Sequence, residues 1–205
     1  MNDEKQLVIV GLSGSLRKEG STSRVLEVAL QGASEIGAQT RIIHLGDYEL
    51  VFCDGRPRNE YPESVKKLRK DIQQAHGIVI ATPEYHGSFS GVLKNALDLM
   101  GFKEFEGKML GLIGVAGGDL GATNALNSLR TVGRSLHAWV VPQHVSVPRA
   151  WEKFGSNGEL QDEQLKQRLL EVGREVARFA YLHNADQTQS FMKLWEQAPQ
   201  NPGGD

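Results

Sequence analysis

The sequence predicts an α/β protein, a three-layer fold around one doubly wound parallel sheet of five strands in the order 2-1-3-4-5. Three observations predict it. Short runs rich in Val, Ile and Leu recur along the chain and read as strands buried on both faces. Between them lie stretches with apolar residues at three- and four-residue steps, the period of a helix packed on one side. No internal repeat breaks the alternation, and 205 residues suit one domain with a substantial core rather than two.

The first strand is expected at about 6–12, around Leu7-Val8-Ile9-Val10. The helix after it starts near Ser23 and places Val25, Ala29 and Ile36 on one face. The second strand falls at about 39–45. An exposed excursion follows at about 46–62, marked by Asp54-Gly55, Pro57 and Pro62. The second helix carries Val65, Leu68, Ile72 and Ala75. A third strand at about 77–82 stops where Pro83 keeps Thr82 extended. The third helix, from Gly91 to about Met100, has a broad face of Val92, Leu93, Ala96, Leu97 and Met100. The fourth strand, at about 109–116, leads to a helix with Ala122, Leu126, Leu129 and Leu136. A fifth strand at about 138–146, with Trp139 and Trp151 expected to pack near it, precedes a helix striped by Leu165, Leu169, Val172, Val176 and Phe179. Residues 1–184 form the domain and 185–205 a tail. Its cluster Phe191-Met192-Lys193-Leu194-Trp195 is expected to dock on the body or on a neighbouring subunit, with the last ten residues mobile.

Composition narrows the chemistry. A formal net charge of −2 without a Lys/Arg cluster speaks against nucleic acid. The apolar runs are too short for a membrane span, and Met-Asn-Asp-Glu-Lys lacks signal or transit character, so a cytoplasmic location is expected. Cys53 is the only cysteine and the six histidines are scattered, which leaves no disulfide and no metal-ligand spacing. Cys53 itself reads as an inert thiol.

In this strand order ligands bind at the carboxyl ends of strands 1 and 3, where the winding reverses. The three segments richest in Gly and Ser are the loops after strands 1, 3 and 4. The first, Gly11 to Ser23, has the make-up of a phosphate cradle. The free N–H groups and dipole of the following helix favour an anion. Ser15, Ser21, Thr22 and Ser23 add hydroxyls, and Arg17 adds a charge-assisted donor. Lys18 is followed by Glu19, so this is not a P-loop; glycines at 11, 14 and 20 miss the dinucleotide fingerprint; Ser15 stands where a nucleophile elbow needs Gly. After strand 3 come Pro83, Glu84, Tyr85, His86 and Gly87. Gly87 and Gly91 let backbone approach a flat ligand, and Tyr85 and His86 offer planar surfaces. The third loop, Ala116-Gly117-Gly118-Asp119-Leu120-Gly121, offers N–H donors suited to the carbonyl-rich edge of a pyrimidine-like ring.

Gly14-Ser-Leu-Arg17 with Ser21 and Ser23, Pro83-Glu-Tyr-His-Gly87, Gly91-Val-Leu-Lys-Asn-Ala-Leu-Asp98 and Gly117-Gly-Asp-Leu-Gly121 together resemble the NAD(P)H-dependent FMN reductase family over roughly residues 6 to 180. The resemblance implies a flavodoxin-like fold and FMN as cofactor, its phosphate on the residues matching Ser15, Arg17, Ser21 and Ser23. The loop is one residue longer than the common family spacing, so which of Ser21, Thr22 and Ser23 meets phosphate stays open. It implies a ring along Pro83, Glu84, Tyr85, His86 and Gly87, with its pyrimidine end near Gly117 and Gly118. It also implies NADPH or NADH as hydride donor, transfer through flavin N5, and a second acceptor reduced in a ping-pong cycle. Flavins, quinones, azo or nitro compounds and metal oxyanions are the expected acceptors, and a homodimer or homotetramer the expected assembly.

No side chain is required as nucleophile or general base, and a backbone N–H of residues 85–88 is the expected donor near N5. His86 reads as a wall of the site; Glu84 reads equally as a ring or ribose contact, as a cap or as a solvent-exposed residue. Lys94 and Asp98 read as an i,i+4 ion pair. Two other classes compete. A flavodoxin-type electron carrier is opposed by the near-neutral charge and by Arg17, and a non-catalytic nucleotide-binding module would be colourless when purified.

Overall fold

A computed structural model describes residues 6–197 of the chain. Strands β1 (Val8–Ser13), β2 (Gln39–His44), β3 (Gly77–Tyr85), β5 (Met109–Val115) and β6 (Trp139–Val147) form a parallel sheet in the order β2-β1-β3-β5-β6. These are the five parallel strands the sequence predicts, in the predicted flavodoxin-like order. A two-residue strand, β4 (Ser88–Phe89), is additional and pairs antiparallel with the end of β3. His86 and Gly87 join the two with φ of 52° and 77°. Positive φ at both central residues is the geometry of a tight type I′ hairpin, which matches strand twist.

Helices α1 (Ser21–Glu35) and α6 (Glu163–Asn184) cover one face of the sheet. Ile9, Val79, Ile113 and Val145 meet Val25, Ala29, Val172 and Val176 there. Helices α2 (Glu63–Gln73), α3 (Gly91–Asp98), α4 (Phe102–Phe105) and α5 (Thr123–Ser135) cover the other, where Val10, Leu12, Ile80 and Leu112 pack on Leu68, Leu93, Phe105 and Leu126. Strand residues alternate between the two cores because the side-chain period of a strand is two. Helices α1 and α6 touch backbone to backbone: a Cβ on Gly173 would lie 1.7 Å from the Ala29 carbonyl oxygen, and one on Gly32 would lie 2.1 Å from that of Leu170. That contact fixes the axis of α1, and so the direction in which its N-terminus points.

Several expectations need correction. Helix α1 begins at Ser21, two residues earlier than read. Ile36 and Phe179 are exposed rather than buried. Ile36 follows the last turn of α1, and in α6 the inward position four residues after Val176 belongs to the fully buried Ala180. Trp139 and Trp151 do not pack into the body, being 63% and 71% exposed. The outermost strand β6 is closed to pairing by other means: Pro142 lies in it, and Arg130 of α5 donates to the carbonyls of Val141 (3.2 Å) and Pro142 (2.7 Å). The tail contains a helix, α7 (Asp186–Glu196), whose Phe191 and Leu194 are exposed rather than docked on the body. The expected mobility of the last ten residues concerns mostly 198–205, outside the described residues.

The excursion after β2 is exposed from Phe52 to Glu60, as read, but it is anchored. Arg58 reaches Oε1 of the fully buried Glu104, which also accepts from Gln73 Nε2 at 3.0 Å, while Glu104 Oε2 accepts from Gly101 N–H at 2.9 Å. Arg69 donates to the carbonyls of Leu99 (2.6 Å) and Arg58 (2.9 Å). Arg56 beside Asp54 holds that carboxyl well below the usual carboxylate range. Among the described residues no helix is long and apolar enough to cross a membrane.

Candidate functional site

The loops after β1, β3 and β5 converge at the carboxyl edge of the sheet, and buried polar groups tie them together. Gly14 N–H donates to the Ala81 carbonyl at 2.7 Å. Ser90 is the N-cap of α3, accepting from Leu93 N–H at 3.2 Å, and its own hydroxyl donates to the Gly14 carbonyl at 2.6 Å. Thr82 Oγ1 accepts from Ser90 N–H at 3.2 Å. A Cβ on Gly14 would sit 3.1 Å from Ala81 O, Leu93 Cβ and Thr82 Oγ1 alike. Sequence reasoning missed Ser90 and Thr82 as site residues. A Ser immediately before Gly91-Val-Leu was the available signal for the cap, though not for its second bond.

Within the first loop, Ser13 is fully buried, with its Oγ 3.4 Å from both Ser15 N and Ser23 Oγ. Ser15 Oγ accepts from Arg17 N–H at 3.1 Å, and the buried Ser23 hydroxyl donates to the Arg17 carbonyl at 3.3 Å. Ser23 thus shapes the loop from inside. The first bonds of α1 run from Ser23 and Arg24 N–H to the Gly20 carbonyl. Among the described residues the N–H groups and hydroxyls of Ser21 and Thr22 have no partner. The exposed Arg17 guanidinium has none either. No acidic residue lies in the first turn of α1. Open N–H groups, free hydroxyls and an uncommitted guanidinium at a helix start are the groups that suit an anion.

The predicted ring-binding segment is the β3–β4 hairpin. Pro83 is buried, Glu84 half-buried, and Tyr85, His86 and Gly87 stand exposed at its tip. The N–H groups of His86 and Gly87 carry no partner among the described residues. The Glu84 carboxylate is a cap: Oε2 accepts from Ala125 N–H, in the first turn of α5, at 3.0 Å. In the third loop, a Cβ on Gly117 or Gly118 would meet nothing within 4 Å, so both border open space. That loop hangs on the segment after β6, with Arg149 N–H bonded to Gly118 O at 3.1 Å and Ala150 N–H to Ala116 O at 3.0 Å. Arg149 holds a left-handed φ of 42°, and its Nε lies 3.2 Å from Asp119 Oδ1. Leu16, Phe52, Leu120 and Trp151, in the segments after β1, β2, β5 and β6, and Tyr85 at the end of β3 are exposed apolar residues at the carboxyl edge.

Two cavities, of about 340 and 560 Å³, lie at the amino edge instead, lined by His76, Lys108 and His183 in one and by Gln39, Thr40 and Arg41 in the other. No predicted site residue lines either cavity; the surface between the three carboxyl-edge loops is the candidate groove.

Residues 7–152 match the profile of a family described as NADPH-dependent FMN reductase. Over 152 residues the chain is 36% identical to the NADPH azoreductase of Bacillus sp. strain OY1-2, spanning 74% of this chain and 82% of that protein. Over 185 residues it is 30% identical to the NADPH-dependent FMN reductase ArsH of Shigella flexneri, spanning 88% of this chain and 71% of that one. The solved structure of FerB, a flavoenzyme NAD(P)H:(acceptor) oxidoreductase from Paracoccus denitrificans, aligns with a TM-score of 0.66 and 26% identity over 86% of this chain and 98% of FerB.

Proposed function

The chain belongs to the NADPH-dependent FMN reductase family, and from that premise we propose an oxidoreductase that moves reducing equivalents from NADPH to flavins, quinones, azo or nitro compounds or metal oxyanions in a ping-pong cycle. FMN is its cofactor and NADPH its hydride donor. The observation that carries this reading is the open α1 start: unpartnered donors on Ser21 and Thr22 beside the free guanidinium of Arg17.

The residues present fit FMN. Ser15, Arg17, Ser21 and Thr22 would hold the phosphate, while Ser23 keeps the loop in shape. The hairpin from Pro83 to Gly87 and the side-chain-free Gly117 and Gly118 border the ring system. When bound, FMN supplies the two-electron chemistry between nucleotide and acceptor. The chain supplies rigidity and access. Bonds from Ser90 and Gly14 hold the first loop and the hairpin at one distance; the open N–H of His86 or Gly87 would serve as the donor to the flavin, and Tyr85 would border the ring. His86 contributes backbone geometry and a wall, with no proton transfer required of it. The exposed rim of Leu16, Phe52, Tyr85, Leu120 and Trp151 supports assembly as a homodimer or homotetramer that covers the groove.

The test is an anaerobic titration of the FMN-loaded protein. NADPH is expected to bleach the flavin absorbance stoichiometrically, and an added quinone to restore it. A yellow protein that neither NADPH nor NADH bleaches defeats the enzyme reading, and a protein that takes up no FMN defeats the site.

A further inference from the structure

Glu84 stands among the residues expected to hold the ring, yet its carboxylate is committed elsewhere. It is the penultimate residue of β3, paired with Phe89 of β4, and Oε2 accepts from the N–H of Ala125, 41 residues further along the chain. The hairpin tip leans on the same turn of α5: a Cβ on Gly87 would have Asn124 Nδ2 as its nearest neighbour, at 4.0 Å. Helix α5 begins directly after the Gly117–Gly118 loop, and Ala122 N–H is already taken by Ser146 Oγ at 2.8 Å. Among the described residues the N–H groups of Thr123 and Asn124 remain unpartnered. The positive end of α5 therefore faces the groove and is shared with one fixed negative charge.

We infer that Glu84 is a positioning residue with two effects: it locks the ring-bearing hairpin to α5, and its charge offsets the α5 dipole at the groove, holding the cofactor's reduced form less tightly than an uncharged cap would. The inference rests on FMN occupying the three loops. Two-electron reduction of FMN near neutral pH adds two electrons and fewer than two protons, so negative charge grows on the ring. A carboxylate beside the groove opposes that growth, whereas the bare helix start favours it.

Two variants separate the effects. Glu84→Gln keeps an acceptor for Ala125 N–H and removes the charge. Its affinity for reduced over oxidised FMN should rise about three- to tenfold, a midpoint potential about 14 to 30 mV more positive for a two-electron couple. Glu84→Ala removes the cap. Hydrogen exchange at the Ala125 amide should accelerate more than about tenfold in the FMN-free protein, and oxidised and reduced FMN should both bind more weakly. An unshifted potential in Glu84→Gln, or an Ala125 amide equally protected in Glu84→Ala, overturns the inference while leaving the enzyme reading intact. Wild-type protein that takes up no FMN overturns both, and the distinction is visible before any variant is made.

Discussion

Among the described residues the N–H groups of Ser21, Thr22, His86 and Gly87 at the carboxyl edge of the sheet stand open, whereas at the amino edge the corresponding groups are closed on the protein itself. There Lys108 Nζ donates to the carbonyls of Ile72 (2.6 Å) and Gln73 (3.0 Å) at the end of α2, and Val8 N–H donates to His76 Nδ1 at 3.0 Å. The two cavities of about 340 and 560 Å³ both lie at the closed edge. On the proposed reading, unmet donors rather than empty volume mark the place of the anionic cofactor, because an unpaired polar group is stable only where water or a ligand completes it. The two edges should consequently fail in different ways: one loses FMN, the other loses stability.

The largest break is expected from Glu104→Ala. It strands Arg58, Gln73 and the Gly101 N–H around a fully buried position. The loss should be about 3–5 kcal/mol, read as a Tm about 6–20 °C lower. FMN affinity measured on the folded protein should not change, and a parallel loss of affinity would show that the edges are coupled. Arg17→Ala is the opposite case. FMN should bind about 10- to 150-fold more weakly in a fluorescence titration, the worth of one charged hydrogen bond. The Tm of the FMN-free protein should stay put, because the guanidinium has no partner to lose among the described residues.

Ser90→Ala tests the seam between the two behaviours, since one hydroxyl both caps α3 and holds Gly14. About 1–2 kcal/mol of stability and a few-fold in FMN affinity should fall together. A change in only one of them means the tie between the loops is dispensable.

A pH series sharpens the amino edge. Burial pushes the Lys108 amine down to about 8 from 10.5. A base depressed in the fold binds fewer protons than the unfolded chain does between those values, so stability should rise with pH from about 8 to 10.5. Below that window the cost of the buried charge is fully present, and above it the cost is gone. Chemical denaturation of Lys108→Met should lack this rise, with FMN affinity unmoved. The smallest effect belongs to Asp98→Asn, which breaks the exposed ion pair from Lys94 at 2.7 Å. A few tenths of a kcal/mol is the expected loss.

Much of this was legible from residue order. The five parallel strands and their winding follow from local apolar period, and the loops that meet at the carboxyl edge from where Gly and Ser cluster. The β3–β4 hairpin was not legible, because His86-Gly87 lacks the Asn-Gly or Asp-Gly pair that announces a type I′ turn. Trp139 and Trp151 misled because bulk and apolarity suggest burial, while their places at an outer strand and in the following loop leave them in solvent. Glu84 was open between ligand contact, cap and solvent exposure, and only the fold chose.

By itself the sequence determined most of the inward-facing positions, though not Ile36, Phe179, Trp139 or Trp151, and which loops carry donors, since both depend on neighbours three or four positions away, or two in a strand. Tertiary structure decided which of those donors remain free. The partners that settle it lie far off in the chain, Gly14 with Ser90 across 76 residues and Glu84 with Ala125 across 41. No local pattern records a bond that forms only once the sheet has brought its carboxyl-edge loops together.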